Sequence, residues 1–67
     1  MDKTIQHEDR IVREEECERL SGLSRSTRWR LERAGKFPAR RQISENAVGW
    51  MLSEIRNWQA SRQAKAI

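Results

Sequence analysis

Apolar side chains along this chain recur at three- and four-residue intervals in some stretches and alternate with polar ones in another. These two periods predict helices and a β-hairpin, respectively. The clearest helix lies within Leu23 to Gly35, LSRSTRWRLERAG. Ser24 is a good N-cap, because its hydroxyl can accept a backbone N–H that the first turn leaves unpaired. Gly35 is a good C′ residue, because without a Cβ it reaches the left-handed conformation cheaply. A helix of about ten residues follows. Setting side chains about 100° apart puts Thr27, Leu31 and Ala34 on an inward stripe. Arg25, Ser26, Trp29 and Arg33 lie opposite, with Arg28 and Arg30 on the flanks.

Residues 1 to 9 are polar apart from Ile5 and predict a flexible arm. Ile11-Val12 is a β-branched pair expected to be extended and to pair briefly with a later hairpin. A first helix is expected from about Glu14 to Ser21 with Cys17 and Leu20 inward, ended by Gly22. Pro38 disfavours helix at Phe37, which becomes a plug under the turn. ARRQISENAVGW predicts strands at Arg40 to Ile43 and Ala47 to Trp50 around a Ser44-Glu45-Asn46 tip, with Val48 and Trp50 on one face. The last helix starts near Ser53 as N-cap, with Ile55 and Trp58 sharing a face. Periodicity is lost beyond Ala60, and 63 to 67 read as a frayed tail. The expected core is Ile11, Val12, Cys17, Leu20, Leu23, Leu31, Phe37, Ile43, Val48, Trp50, Leu52, Ile55 and Trp58.

At 67 residues, 36% of them apolar and 36% charged, the chain makes one small domain with a thin core. Its net charge of +4 is unevenly spread. Arg25, Arg28, Arg30, Arg33, Lys36, Arg40 and Arg41 face only Glu32 in the middle third, whereas the first 23 residues are acidic on balance. Such a local excess suits a polyanion, because neutralised phosphates release counterions. An anionic membrane would attract the same charge, but a membrane-surface helix needs a broad apolar face, and the basic helix has none. The acids Glu14, Glu15 and Glu16 suit the positive end of a helix dipole; contact with a basic partner is the alternative.

The lone Cys17 has the spacing of a small core residue, and His7 has no metal-ligand pattern around it. No paired carboxylates, metal-spaced ligands, Cys-His pair or phosphate-cradling loop is present, so neither an enzyme nor a cofactor is expected. The absence of an apolar leader or a membrane-length run leads to the expectation of a cytoplasmic protein.

EEECERLSGLSRSTRWRL combines a short helix, a turn containing Gly22 and a second capped helix, the unit that puts its second helix in the DNA major groove. With the hairpin as a wing, the predicted fold is mostly α, a winged helix-turn-helix of three helices. Gly22 to Thr27, GLSRST, then Gly35 to Pro38, GKFP, Ala47 to Trp50, AVGW, and Ser53-Glu54-Ile55 followed by Trp58 occur in an order that resembles the AlpA family of prophage regulatory proteins. That family is related to small phage excisionases and the MerR-type winged helix, and the resemblance covers residues 10 to 62. It implies a protein that binds double-stranded DNA, regulating a neighbouring integrase gene or assisting prophage excision, with self-association on DNA and contact with an integrase or RNA polymerase as further partners. A module that binds a recombinase or itself without reading DNA is the alternative.

By position, the family's recognition helix corresponds to Ser24 through Ala34 and its wing to Arg40 through Val48. Ser24 and Ser26 are expected to meet phosphate at the helix N-terminus, Arg25 a guanine edge, and Trp29 sugar, a thymine methyl or the wing. Arg28, Arg30, Arg33, Lys36, Arg40 and Arg41 are expected mainly on the backbone, four to six of them giving a log–log salt slope of roughly −4 to −5. Arg40, Arg41 and Gln42 are equally readable as phosphate or minor-groove contacts and as solvated edge-strand residues. Arg28 and Glu32 stand where the family frequently has aliphatic residues, and Glu14 where it often has an apolar one. A thinner core and a more cationic helix flank are the expected consequences.

Overall fold

A short strand, an acidic helix, a basic helix, a hairpin and a closing helix are strung in the order β1 (Ile11–Val12), α1 (Glu14–Ser21), α2 (Arg25–Arg33), β2 (Arg41–Ser44), β3 (Ala47–Met51) and α3 (Leu52–Ala60). The computed structural model describes residues 9–65. The predicted arm over 1 to 9, with Ile5 and His7 and apart from Asp9, and the last two residues of the predicted tail lie outside the described residues. Three helices with a small antiparallel sheet are compatible with a winged helix-turn-helix.

The sheet has the order β1-β3-β2, both pairings antiparallel. Val12 faces Trp50 and Ile11 faces Met51, so the β-branched pair before α1 closes one side of the hairpin. Arg41 faces Gly49 and Gln42 faces Val48, and the register slips at Ile43 before Ser44 meets Ala47. Gly49 lies where neighbouring strands converge on the central one. A Cβ there would come within 2.7 Å of Ile11 Cγ2, 2.9 Å of Ile43 Cδ1 and 2.9 Å of the Val12 carbonyl oxygen.

The helix ends follow local chemistry. Gly22 takes φ +72° and returns its N–H to Glu18 O at 2.8 Å, which stops α1. Ser24 Oγ accepts from Thr27 N at 3.3 Å to start α2. Gly35, at φ +75°, and Lys36 return their N–H groups to Glu32 O and Leu31 O. The α3 terminus differs from expectation. Helix begins at Leu52, so Ser53 is inside the first turn, and its cap arrives from the other end of the chain. Asp9 Oδ1 accepts from Ser53 N at 2.9 Å, and Asp9 Oδ2 from Ser53 Oγ at 2.7 Å. These hydrogen bonds hold the Asp9 carboxyl below the ordinary carboxylate range. Asp9, read as the end of a flexible arm, is therefore a fixed part of the fold.

The core is Val12, Cys17, Phe37, Trp50, Leu52 and Ile55, with Leu20, Leu23, Leu31 and Trp58 packed around it. Phe37 does plug the turn, edge-on to Trp58 with ring centroids 4.9 Å apart. Trp58 donates to Lys36 O at 3.0 Å and Gln59 to Leu20 O at 2.7 Å, so α3 ties down the ends of both α2 and α1. Ile11, Ile43 and Val48, expected in the core, are 38%, 42% and 40% exposed. Ile11 and Ile43 flank Gly49 on the sheet face turned away from Val12 and Trp50. Val48 shares the Trp50 face but lines an open cleft rather than the core.

Candidate nucleic-acid interface

α2 presents Arg25, Ser26, Trp29 and Arg33 outward, as the wheel predicts, and Arg30, expected on a flank, is exposed with them. Its inward face is turned from the predicted one. Thr27 and Leu31 are partly buried, Ala34 is exposed, and the most buried residue of the helix is Arg28, at 3% exposure. Arg28 was expected on a DNA-facing flank, and the structure corrects this. Its Nε donates to Leu23 O at 3.1 Å, Nη1 donates to Glu14 Oε1 at 3.2 Å, and Nη2 pairs with Glu14 Oε2. The guanidinium carbon also lies 5.5 Å from the centroid of the Trp50 ring. A guanidinium tolerates burial only when its donors are satisfied, and here a carbonyl, a carboxylate and an aromatic face do so. The Arg28 hydrogen bonds hold the Glu14 carboxyl below its ordinary range. The expected gain in cationic character along this flank is cancelled.

Between α2 and the hairpin runs an open cleft of about 590 Å³. One wall is Ser24, Arg25, Ser26, Trp29 and Glu32 of the α2 segment. The other is Arg40, Val48 and Trp50, and Glu14 and Arg28 contribute to the lining as well. Glu14, Glu32 and Val48 were not among the predicted site residues. Their types carry no nucleic-acid signal, and only the approach of three elements gathers them. The Trp50 indole N–H is buried with no acceptor among the described residues. Arg13 Nε donates to Val48 O at 3.1 Å, supplying the hydrogen bond that β1 is too short to give and fixing the hairpin against the start of α1.

The remaining predicted residues divide between two sides of the sheet. Arg40 lies on the cleft side, with Nε 3.8 Å from Glu32 Oε1, long enough to leave it largely solvated. Arg41, the next residue, points to the opposite side. Its Nη2 is 2.7 Å from Glu54 Oε2 and its Nε 3.4 Å from Glu54 Oε1, and this pair holds Glu54 below the usual carboxylate range. Gln42 Nε2 bonds Ser44 O at 3.0 Å and Glu45 O at 3.3 Å, bracing the hairpin turn. Arg40, just ahead of β2, and Arg41, its first residue, are thus drawn apart by Glu32 and Glu54, although they are adjacent in sequence. Ser24 and Ser26 hydroxyls lie 3.4 Å apart at the start of α2, and Ser24 Oγ also donates to Thr27 Oγ1 at 3.0 Å. Arg30 reaches that same hydroxyl oxygen at 3.2 Å, and Lys36 is exposed just past the helix.

Cys17 is buried, and burial pushes its thiol upward from the ordinary value, in keeping with the core role expected of it. Among the described residues no group of His, Cys, Asp and Glu could hold a metal ion, and no helix is long and apolar enough to cross a membrane.

A family model described as "Prophage CP4-57 regulatory protein (AlpA)" matches residues 10–63. A protein of Enterobacteria phage P4, described as "Uncharacterized protein ORF88", is 40% identical over 57 residues, which are 85% of this chain and 65% of the relative. The chain thus spans about two thirds of the length of that phage protein. No solved structure matches.

Proposed function

The chain belongs to the AlpA family of prophage regulatory proteins, and we propose that it regulates by laying the outer face of α2 in the major groove of double-stranded DNA, with the β2–β3 hairpin as a wing on the adjoining backbone or minor groove. The observation that carries this reading is the state of Arg25, Trp29 and Arg33, which stay outward on a helix capped at both ends while the one buried arginine of that helix is neutralised inside the fold. A helix held rigidly with its cations outward has the geometry of groove readout.

Ser24, Ser26 and the α2 N-terminal N–H groups then meet phosphate, and Arg25 meets a guanine edge. Trp29 packs on sugar or a thymine methyl, and Arg30, Lys36 and Arg40 bind backbone across the cleft. Arg28 is left out of these contacts because it is buried against Glu14, and Arg41 and Gln42 are given no base contact because they lie against Glu54 and the hairpin turn. So small a set of base contacts favours several copies on repeated sites. The target we favour is DNA near an integrase gene or an attachment site, which carries with it a cytoplasmic location and an integrase or RNA polymerase as further partner.

Footprinting on DNA flanking the protein's own gene, at several salt concentrations, tests this. Protection upstream of an integrase promoter supports transcriptional control, and protected repeats at an attachment site support excision. Protection that survives Arg25→Ala with Arg30→Ala would overturn the role given to α2. Absence of protection, with the protein instead capturing a recombinase, would favour an interaction module.

A further inference from the structure

The outer stripe of α2 holds a contact that charge neutralisation alone does not require. Trp29 is 44% exposed, and the guanidinium carbon of Arg33 lies 4.7 Å from the centroid of its ring. Among the described residues no carboxylate pairs with Arg33. Side chains on a helix lean toward its N-terminus. The stack therefore carries a cation from the last turn back over Trp29, toward the half of a recognition helix that enters the groove. An indole face also fixes the plane of the guanidinium. A phosphate, which accepts from many directions, gains little from that. A guanine edge, with O6 and N7 side by side, gains a fork already aligned with it and a smaller loss of conformational freedom on binding.

We propose that Arg33 reads a guanine edge and that Trp29 is its positioning residue, so that the stacked pair specifies one base of the target. This rests on the reading of α2 as the DNA-facing helix.

The test begins with the duplex that the wild-type chain selects from a randomised pool. Affinities are then measured over a salt series for that duplex, for versions with each guanine replaced in turn, and for a scrambled duplex. Arg33→Lys keeps the charge and removes the fork. At one guanine its preference is expected to fall about 5- to 150-fold, with the salt slope and the affinity for scrambled DNA unchanged. Trp29→Ala is expected to cause the same loss at the same position, Trp29→Phe to retain most of the preference, and Trp29→Ala added to Arg33→Lys to cost nothing more. Both side chains are exposed, so the circular dichroism and Tm of these variants should match the wild type. Wild-type preference in Arg33→Lys, or equal weakening of Trp29→Ala on every duplex, overturns the proposal. If the wild-type chain binds no duplex in a salt-dependent way, the reading of α2 as DNA-facing falls, and this inference with it.

Discussion

Arg28 of α2 and Glu14 of α1 form a two-pronged ion pair across the helix-turn-helix junction, with the arginine 3% and the glutamate 41% exposed. Each residue taken singly departs from the aliphatic pattern of the AlpA family, and in the fold the two departures are one interaction. Removing one member strands the other. Glu14→Ala leaves a buried guanidinium with only the Leu23 carbonyl and the Trp50 face and should cost about 2 kcal/mol, less than the roughly 3–5 of a fully buried pair because Glu14 is partly solvated. The double change Glu14→Leu with Arg28→Ile should recover most of that loss, as read by urea denaturation.

The same geometry sets a pH response. Asp9, Glu14, Glu16 and Glu54 all titrate below their ordinary values of 3.8 for Asp and 4.5 for Glu. The largest cause is a hydrogen bond from Ser53, Arg28, Arg10 and Arg41 respectively. A carboxyl depressed in the folded state contributes fully above its unfolded pKa and loses that contribution as pH falls through the folded one. The Tm should therefore be level from neutral pH down to about 5 and drop as the medium is acidified below about 4.5. The Glu14→Leu with Arg28→Ile protein should show a shallower drop.

Asp9 closes the fold through its bonds to the first turn of α3. Asp9→Ala should lower the Tm and speed hydrogen exchange at the Ser53 amide, while Asp9→Asn, which keeps an acceptor for that amide, should lie between Ala and wild type.

Gly49 on the central strand has no room for a methyl group. Two of the atoms a Cβ would meet are side-chain carbons, but the third is the Val12 carbonyl oxygen, which can move only with β1. Gly49→Ala should destabilise by about 1–3 kcal/mol in chemical denaturation, the largest effect expected from so small a change in this sheet.

Adjacent arginines of the hairpin should behave differently toward DNA. Arg25, Arg30, Arg33, Lys36 and Arg40 remain outward on the α2 side; with Arg25 and Arg33 on base edges, Arg30, Lys36 and Arg40 are left to neutralise phosphate, and the log–log salt slope should be about −2.7. Arg40→Ala should make that slope shallower by about 0.9. Arg41→Ala should leave it unchanged and lower the Tm instead, since Arg41 is engaged with Glu54 on the other side.

The local rules written into the chain were enough for its elements. Ser24, Gly22 and Gly35 end or begin helices through bonds made within a few residues, and alternation over Ala47 to Trp50 needs only the next strand. The outward stripe of Arg25, Trp29 and Arg33 was legible for the same reason, because spacing on one helix fixes which side chains share a face. Which way that face is rotated depended on more distant residues. Burial of Arg28 requires Glu14, fourteen positions earlier; the cap of α3 requires Asp9, forty-four positions earlier; and the separate fates of Arg40 and Arg41 require Glu32 and Glu54 on different helices. A charge goes where its counter-charge and its missing hydrogen bonds are met, and those partners become neighbours only when the chain has closed on itself.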